Sequence, residues 1–331
     1  MRAITARSGR NGAVRRVAGL LALAVSAATA AGCGAATGGS ATGGPAAAPA
    51  IGPVPVVTTV EQIGRPIDRY LVTPQQVATL QSAANALNET CMREFGLPPV
   101  ATDLVGFDEA SLRFERTHGE LYGFFDPAQV AESGYNRVLP GYEAAAATPA
   151  AAQPSPATMT VEHGVDQAGK AVSAYAGRAV PAGGCKGESV RGTGGALPLP
   201  DPKALPDHGP RVPVDDPRIR AAFAAWSGCM SAKGYSYATP QDGMTAARLV
   251  PVTSEQNGVV SVRHSAEELK QAADDVACKL STNLVGISLA VQSAYDTQYI
   301  ESHGQALSDY RNGVADRVAA AERILRDAGR A

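Results

Sequence analysis

Four cysteines that lie far apart in the chain are the feature that most restricts how it can fold. Cys91, Cys185, Cys229 and Cys278 follow one another at separations of 94, 44 and 49 residues, and a fifth cysteine, Cys33, lies near the N-terminus. Zinc sites usually contain close pairs such as Cys-x-x-Cys, so these spacings favour disulfides over a metal site. Four cysteines allow three pairings, and counting alone does not choose between them.

A repeated motif indicates which cysteines pair. Residues 91–97 and 229–235 share the pattern Cys-Met-x-x-x-Gly-apolar, each at the end of a helical pattern. The glycine in each copy is well placed as the left-handed residue that stops a helix. Each copy is followed by one further cysteine, which favours two modules that are each linked internally. The predicted disulfides are Cys91–Cys185 and Cys229–Cys278.

The N-terminus has the three parts of a secretory signal. A basic stretch ends at Arg16, an apolar run covers residues 17–25, and small residues lead to Cys33. The sixteen residues from 17 to 32 fall short of the roughly 20 that a spanning helix needs. The tetrad Ala30-Ala31-Gly32-Cys33 resembles the lipobox of bacterial lipoproteins, with Ala30 where leucine is usual. In that family the cysteine carries diacylglycerol and becomes the new N-terminus after cleavage.

This resemblance implies that Cys33 is the lipid-attachment site, acylated with palmitate, and that the mature chain lies on the extracytoplasmic face of the cell membrane. The alternative is an ordinary signal peptide cut elsewhere, with Cys33 incidental. Without residues 1–32 the chain keeps 24 basic and 31 acidic residues, a net charge of about −7. Such a surface does not attract nucleic acid or anionic headgroups, so the lipid has to supply the membrane attachment.

Composition divides the chain into five segments and predicts a mainly α fold of two disulfide-linked helical modules with irregular loops. Residues 33–58 begin with an almost uninterrupted tract of Gly, Ala, Ser, Thr and Pro, which is typical of a flexible tether. The predicted segments are a signal peptide (1–32), a lipid-anchored tether (33–58), a first helical and irregular module (59–190), a Gly/Pro linker (191–215) and a second helical module with a long C-terminal helix (216–331).

Capping residues mark where the helices begin. Thr73 with Pro74 and Gln76 opens the first helix, which should end near Gly96. Asp126 and Asp216 each precede a proline, and Ser265 with Glu268 forms a capping box, so these three positions should open helices as well. Residues 158–176 are expected to include a short strand or two, and residues 236–262 are expected to be irregular.

The helical pattern that starts at Ser265 continues to about Asp327, with Asn283 and Gly286 as weak interruptions. A terminal helix of about 40 residues would be about 60 Å long, which exceeds the diameter of a small module. We therefore expect this helix to pack across both modules, to project, or to bind a protein partner.

Several short segments resemble a group of lipoproteins from high-GC Gram-positive actinobacteria, a group to which no activity is assigned. The resemblance covers about residues 60–327 and implies a lipid anchor and disulfides, but it implies no active-site residue. The segments are Arg65-Pro66-Ile67-Asp68-Arg69-Tyr70, the first Cys-Met-x-x-x-Gly, Leu121-Tyr122-Gly123, Gly134-Tyr135, Gly184-Cys185-Lys186-Gly187-Glu188, Trp226-Ser227-Gly228-Cys229-Met230 and Asp275-Val276-Ala277-Cys278-Lys279.

Motifs that carry known chemistry are missing from the sequence. It contains no Gly-x-Ser-x-Gly nucleophile elbow, no phosphate-binding loop and no histidine pair at metal-binding spacing. The adjacent acids Asp215-Asp216 and Asp274-Asp275 are not a catalytic pair by themselves, because neighbours on a helix point to different sides. We interpret Asp216 as a helix cap and Asp274 as part of a solvated face. The sequence therefore predicts no catalytic residue, no cofactor and no metal.

Aromatic residues supply the best candidate for a binding site. Six of the chain's seventeen aromatics fall within residues 114–142. Tyrosine and phenylalanine in glycine-containing loops can line a groove, and they can equally form the core of a module that otherwise lacks large apolar side chains. The candidate binding residues are Tyr122, Phe124, Phe125 and Tyr135.

Three classes of function remain open. The first is a non-enzymatic envelope protein that binds or interacts outside the membrane, with the C-terminal helix as a contact surface for a protein partner. The second is a hydrolase of wall glycan or peptide, which a deep cleft with convergent carboxylates would favour. The third is the solute-binding receptor of an importer, which two α/β lobes would favour.

Overall fold

The computed structural model describes residues 48–100, 118–135, 154–247, 252–256, 259–263 and 265–330. The predicted signal peptide, the lipid-attachment residue Cys33 and the first part of the tether lie outside these ranges. Phe114 and Tyr142, from the aromatic cluster, also lie outside them. The described residues form one compact unit, and their fold is mainly helical, as predicted.

The described residues contain nine α-helices and three two-stranded antiparallel ribbons. The helices are α1 (Pro74–Glu94), α2 (Pro127–Ser133), α3 (Pro156–His163), α4 (Gly184–Gly192), α5 (Pro217–Ala232), α6 (Pro240–Ala247), α7 (Ala266–Ser281), α8 (Leu284–Ser302) and α9 (Gly304–Asp327). The ribbons pair β1 (His118–Gly119) with β2 (Gly123–Phe124), β3 (Ala174–Tyr175) with β4 (Arg178–Ala179), and β5 (Val252–Gln256) with β6 (Val259–Arg263).

The predicted helix starts are confirmed. At the start of α1, the Thr73 hydroxyl accepts a hydrogen bond from the Gln76 amide at 3.2 Å, and the Gln76 side chain accepts one from the Thr73 amide at 2.9 Å. Asp126, Asp216 and Ser265 likewise cap α2, α5 and α7 with their side-chain oxygens. Each cap satisfies amide groups that the first turn of a helix leaves without a partner.

Both predicted disulfides are present. Cys91–Cys185 joins α1 to α4, and Cys229–Cys278 joins α5 to α7, each with 5.6 Å between the Cα atoms. The Cys-Met-x-x-x-Gly motif ends a helix in both copies, because Gly96 and Gly234 adopt positive φ angles of 68° and 94°. The repeated motif therefore marks two equivalent helix ends that are each cross-linked to a second helix.

The two predicted modules do not have separate cores. Helix α1, from the first module, packs along α9 from the second, with Leu80 and Ala83 against Ala321. Leu205, inside the predicted 191–215 linker, is buried in a cluster with Ile67 and Leu307. The segment 191–215 therefore connects two parts of one packed body instead of separating two domains.

The predicted 40-residue terminal helix is wrong, because the chain breaks twice between Ser265 and Asp327. Asn283 adopts a left-handed conformation between α7 and α8, and His303 lies between α8 and α9. The long C-terminal helix is α9, with 24 residues and a length of about 36 Å. Its apolar face packs on α1, so the helix is accommodated within the body. Within the described ranges, every helix is too short or too polar to cross a bilayer.

Two shorter segments contain elements that were not predicted. The short strand expected in residues 158–176 is present as β3, but this segment also contributes most of α3. Residues 236–262, expected to be irregular, include α6 and most of the β5–β6 ribbon. Each of these elements has eight residues or fewer. Segments of that length span too few periods for hydrophobic spacing to identify them.

Candidate functional site

The four aromatic residues predicted to bind a ligand are buried. Tyr122 and Phe125 belong to a cluster that contains Trp226, and Phe124 and Tyr135 belong to a neighbouring one. None of the four side chains is more than 4% exposed. They do not line a surface groove. The alternative interpretation placed them in the core of the first module, and they pack instead against residues of both predicted modules.

A buried ion pair lies beneath these aromatic rings. Asp275 and Lys279 are one turn apart on α7, with 2.6 Å between the carboxylate and the ammonium group and side chains that are each 1% exposed. The Asp275 carboxylate also accepts hydrogen bonds from the Trp226 indole at 2.9 Å and the Tyr135 hydroxyl at 3.1 Å. Lys279 donates a second hydrogen bond to the Phe124 carbonyl at 2.7 Å.

The ion pair connects parts of the core and does not contact solvent. Burial raises the pKa of Asp275, and hydrogen bonds from Lys279 and Trp226 oppose that rise. Burial likewise lowers the pKa of Lys279, against the attraction of Asp275. A buried charge pair is tolerated when further hydrogen bonds satisfy both partners, as they do here. We assign the pair to the structure of the core.

Residues 49–57 have no regular secondary structure and form a surface segment that we call the strap. It runs beside α8. The carbonyl of Pro55 accepts a hydrogen bond from the Asn283 side chain at 2.9 Å, and the Val57 amide donates to the same side chain at 3.4 Å. A Cβ atom at Gly286 would overlap the Pro55 carbonyl oxygen, so the helix needs a glycine there. The C-terminal part of the predicted flexible tether is therefore docked on the body.

Arg218 holds the other end of the strap. Its guanidinium donates to the Pro49 carbonyl at 2.9 Å and makes two hydrogen bonds to the Asp216 carboxylate, at 2.8 and 2.6 Å. Tyr295 on α8 donates to the same carboxylate at 3.3 Å. The hydrogen bonds from Arg218 lower the pKa of Asp216 to about 2, although burial opposes this shift. The predicted cap of α5 therefore also positions the arginine that binds the strap.

A groove of about 600 Å³ lies between the strap and α8. Strap residues form one wall with small and apolar groups, and α8 forms the other. The polar side chains that α8 contributes are Ser293, Thr297, Gln298 and Glu301. Glu301 is the single carboxylate among the described residues that line the groove. Hydroxyl, amide and small apolar groups suit contact and hydrogen bonding with a bound segment better than acid–base chemistry by two carboxylates.

The adjacent acids have different environments. Asp274 lies at the surface, where it pairs with Lys233 at 2.9 Å and with Lys270 at 2.7 Å, whereas Asp275 lies in the core. Asp215 is exposed and Asp216 is buried under Arg218. Neither pair converges on one point. In the part of the chain that the structure describes, no group of three or more His, Cys, Asp or Glu residues is arranged to hold a metal ion.

Sequence reasoning missed most of the residues that hold the strap. Asp216 was identified as a helix cap, but no sequence motif marked Arg218 or Tyr295 as part of the strap contacts. Asn283 and Gly286 were identified only as weak interruptions of a helix. A glycine inside a helical pattern can signal close approach of another backbone, and that signal was present at Gly286.

Comparison with known proteins finds no matching family model, no similar curated protein and no similar solved structure.

Proposed function

We propose that this chain is a lipoprotein anchored to the cell membrane through Cys33, and that its folded body is a non-enzymatic binding or interaction protein outside the membrane. The observation that carries the proposal is which cysteines form disulfides. The two disulfides use all four of the other cysteines, so neither bridge needs Cys33. Disulfides form and persist mainly in oxidising compartments outside the cytoplasm. Cys33 is then available for the lipid that its Ala-Ala-Gly-Cys context suggests.

The binding role is supported by the chemistry of the surface. The groove beside the strap offers hydrogen-bonding and small apolar groups with a single carboxylate, whereas a glycan hydrolase of the usual kind needs two carboxylates that converge. The receptor alternative expects two α/β lobes, and the described residues contain only three two-stranded ribbons. The apolar face of α9 is covered by α1, so a partner of the C-terminal helix would meet its outer, polar face.

Metabolic labelling tests the anchor directly. Cells that express the full chain are grown with radiolabelled palmitate, and the protein is followed into the membrane fraction. We expect label on the wild-type protein and none on Cys33→Ser. The Cys91→Ala/Cys185→Ala variant is the matched control, because it removes two cysteines and keeps Cys33, so it should still be labelled. An unlabelled wild-type chain, or label that persists on Cys33→Ser, would contradict the proposal.

A further inference from the structure

The strap is held mainly through its backbone. The hydrogen bonds from Arg218 and Asn283 reach main-chain atoms of the strap, and they attach it at two points near its ends. Val54 and Val56, between those points, are 42% and 69% exposed. Val57 is buried in the core, and Ile51 packs partly against a second cluster. Lifting residues 49–56 from α8 would therefore break the hydrogen bonds to Pro49 and Pro55 and unpack Ile51 from its cluster, while Val57 stays in the core.

The position of the strap relates it to the membrane anchor. Pro49 is sixteen residues after Cys33 in the sequence, and it is bound by Arg218. While that hydrogen bond holds, Pro49 is fixed to the body. If the strap detaches as far as Val57, the first attached residue of the described chain lies eight residues later. At 3.3–3.6 Å per extended residue, this adds about 27 Å of reach.

We propose that the strap is a releasable extension of the membrane tether, with Arg218 and Asn283 as the two contacts that keep it short. The docked strap holds the body close to the bilayer, and release of the strap lets the body reach further. This inference rests on the proposed function, because the strap can change the distance between the body and the membrane only if Cys33 is anchored there. Gly286 supports it, since glycine is a poor helix residue and its lack of a side chain admits the Pro55 carbonyl.

Proteolysis tests whether the strap docks as described. Full-length lipidated protein in phosphatidylcholine vesicles is treated with thermolysin, and mass spectrometry follows cleavage between Ala50 and Ile51. We expect the Arg218→Ala/Asn283→Ala variant to be cut about tenfold faster than the wild type. Arg220→Ala is the control, because Arg220 is an exposed arginine on the same helix, and it should be cut at the wild-type rate. Equal rates in the double variant and the wild type would overturn the proposal.

A second variant covers the chance that the double substitution disturbs the fold. Gly286→Ala keeps α8 helical and places a methyl group against the Pro55 carbonyl, so it should also speed the cleavage. Near-ultraviolet circular dichroism checks that the body keeps its packing. Cleavage at the wild-type rate in a folded Gly286→Ala variant would count against docking at this point.

Energy transfer tests the change in reach. A donor dye is placed at exposed Ala319 through a non-natural side chain, and acceptor lipids are added to the vesicles. Transfer should fall in the Arg218→Ala/Asn283→Ala variant and stay unchanged in Arg220→Ala. Faster cleavage with unchanged transfer would overturn the link to reach. Protein that does not stay with the vesicles would instead contradict the proposed lipid anchor at Cys33. In that case the difference in cleavage rates between the variants would still show whether the strap docks.

Discussion

Two parts of the molecule are cross-linked in the same way and packed in different ways. In the first linked region, Cys91–Cys185 joins α1 to α4 and packs with the buried apolar residues Met92, Val161 and Val180. The disulfide thus lies in an ordinary hydrophobic cluster. Burial of apolar surface and the cross-link both favour the folded chain there. The buried carboxylate of Glu162, next to Val161 in the chain, accepts a hydrogen bond from the Asn88 side chain at 3.3 Å.

In the second linked region, Cys229–Cys278 joins α5 to α7, and charged groups lie next to it. Lys279 follows Cys278 directly, and its partner Asp275 is one turn earlier on the same helix. The two regions share a cysteine motif and the same Cα separation across the disulfide. The comparison shows that the motif determines the cross-link, whereas the packing around it determines whether the buried carboxylate nearby pairs with an amide (Asn88) or with an ammonium group (Lys279).

Removing each disulfide should produce the largest loss of unfolding free energy, so it is the first test of the comparison. The loops closed by the two bridges have 94 and 49 residues. In the loop-entropy model their contributions are about 4.7 and about 4.1 kcal/mol, because the dependence on loop length is logarithmic. We expect Cys91→Ala/Cys185→Ala and Cys229→Ala/Cys278→Ala to lose similar amounts of unfolding free energy in urea. A much larger loss for one pair would show that the regions differ in more than loop length.

Breaking the buried ion pair tests the feature that distinguishes the second linked region. Lys279→Met leaves the Asp275 carboxylate buried without its cation, which should cost about 3–5 kcal/mol of unfolding free energy. Asp275→Asn/Lys279→Met removes both charges and keeps an acceptor for Trp226, so it should be more stable than the single variant. Asp274→Asn, at the neighbouring surface position, should cost less than about 1 kcal/mol. A double variant no more stable than Lys279→Met would contradict this account.

Acid should weaken the second linked region through Asp216, which begins α5. Its pKa is lowered to about 2 in the folded chain. The stabilisation is therefore fully present above the unfolded pKa, near 3.9, and is lost as the pH falls towards 2. We expect the unfolding free energies of the wild type and Asp216→Asn to differ by about 1–2 kcal/mol more at pH 5 than at pH 2. If the difference between the two unfolding free energies does not change with pH, the ionised Asp216 carboxylate does not stabilise the fold as proposed.

The local features of the fold were predictable because they depend on residues close together in sequence. The caps at Thr73, Asp126 and Ser265 act within one helical turn, so their motifs identify the helix starts directly. The disulfide pairing followed from a repeated motif and an even count. The 40-residue helix was wrong, and the shared core of the two modules was not predicted, because packing between distant segments decides whether cores merge and where a helix ends.

The sequence by itself determined the helical class, the cross-links and a cysteine in a lipoprotein-like context, since each depends on composition or short-range pattern. Only the tertiary structure decided that the aromatic cluster is core, that Asp275 and Lys279 are buried together with Trp226, and that the end of the tether docks on α8. The physical reason is that burial, and the charge and hydrogen-bond partners that come with it, depend on segments far apart in the chain. Arg218 and Pro49, separated by 169 residues, meet only after the chain has folded.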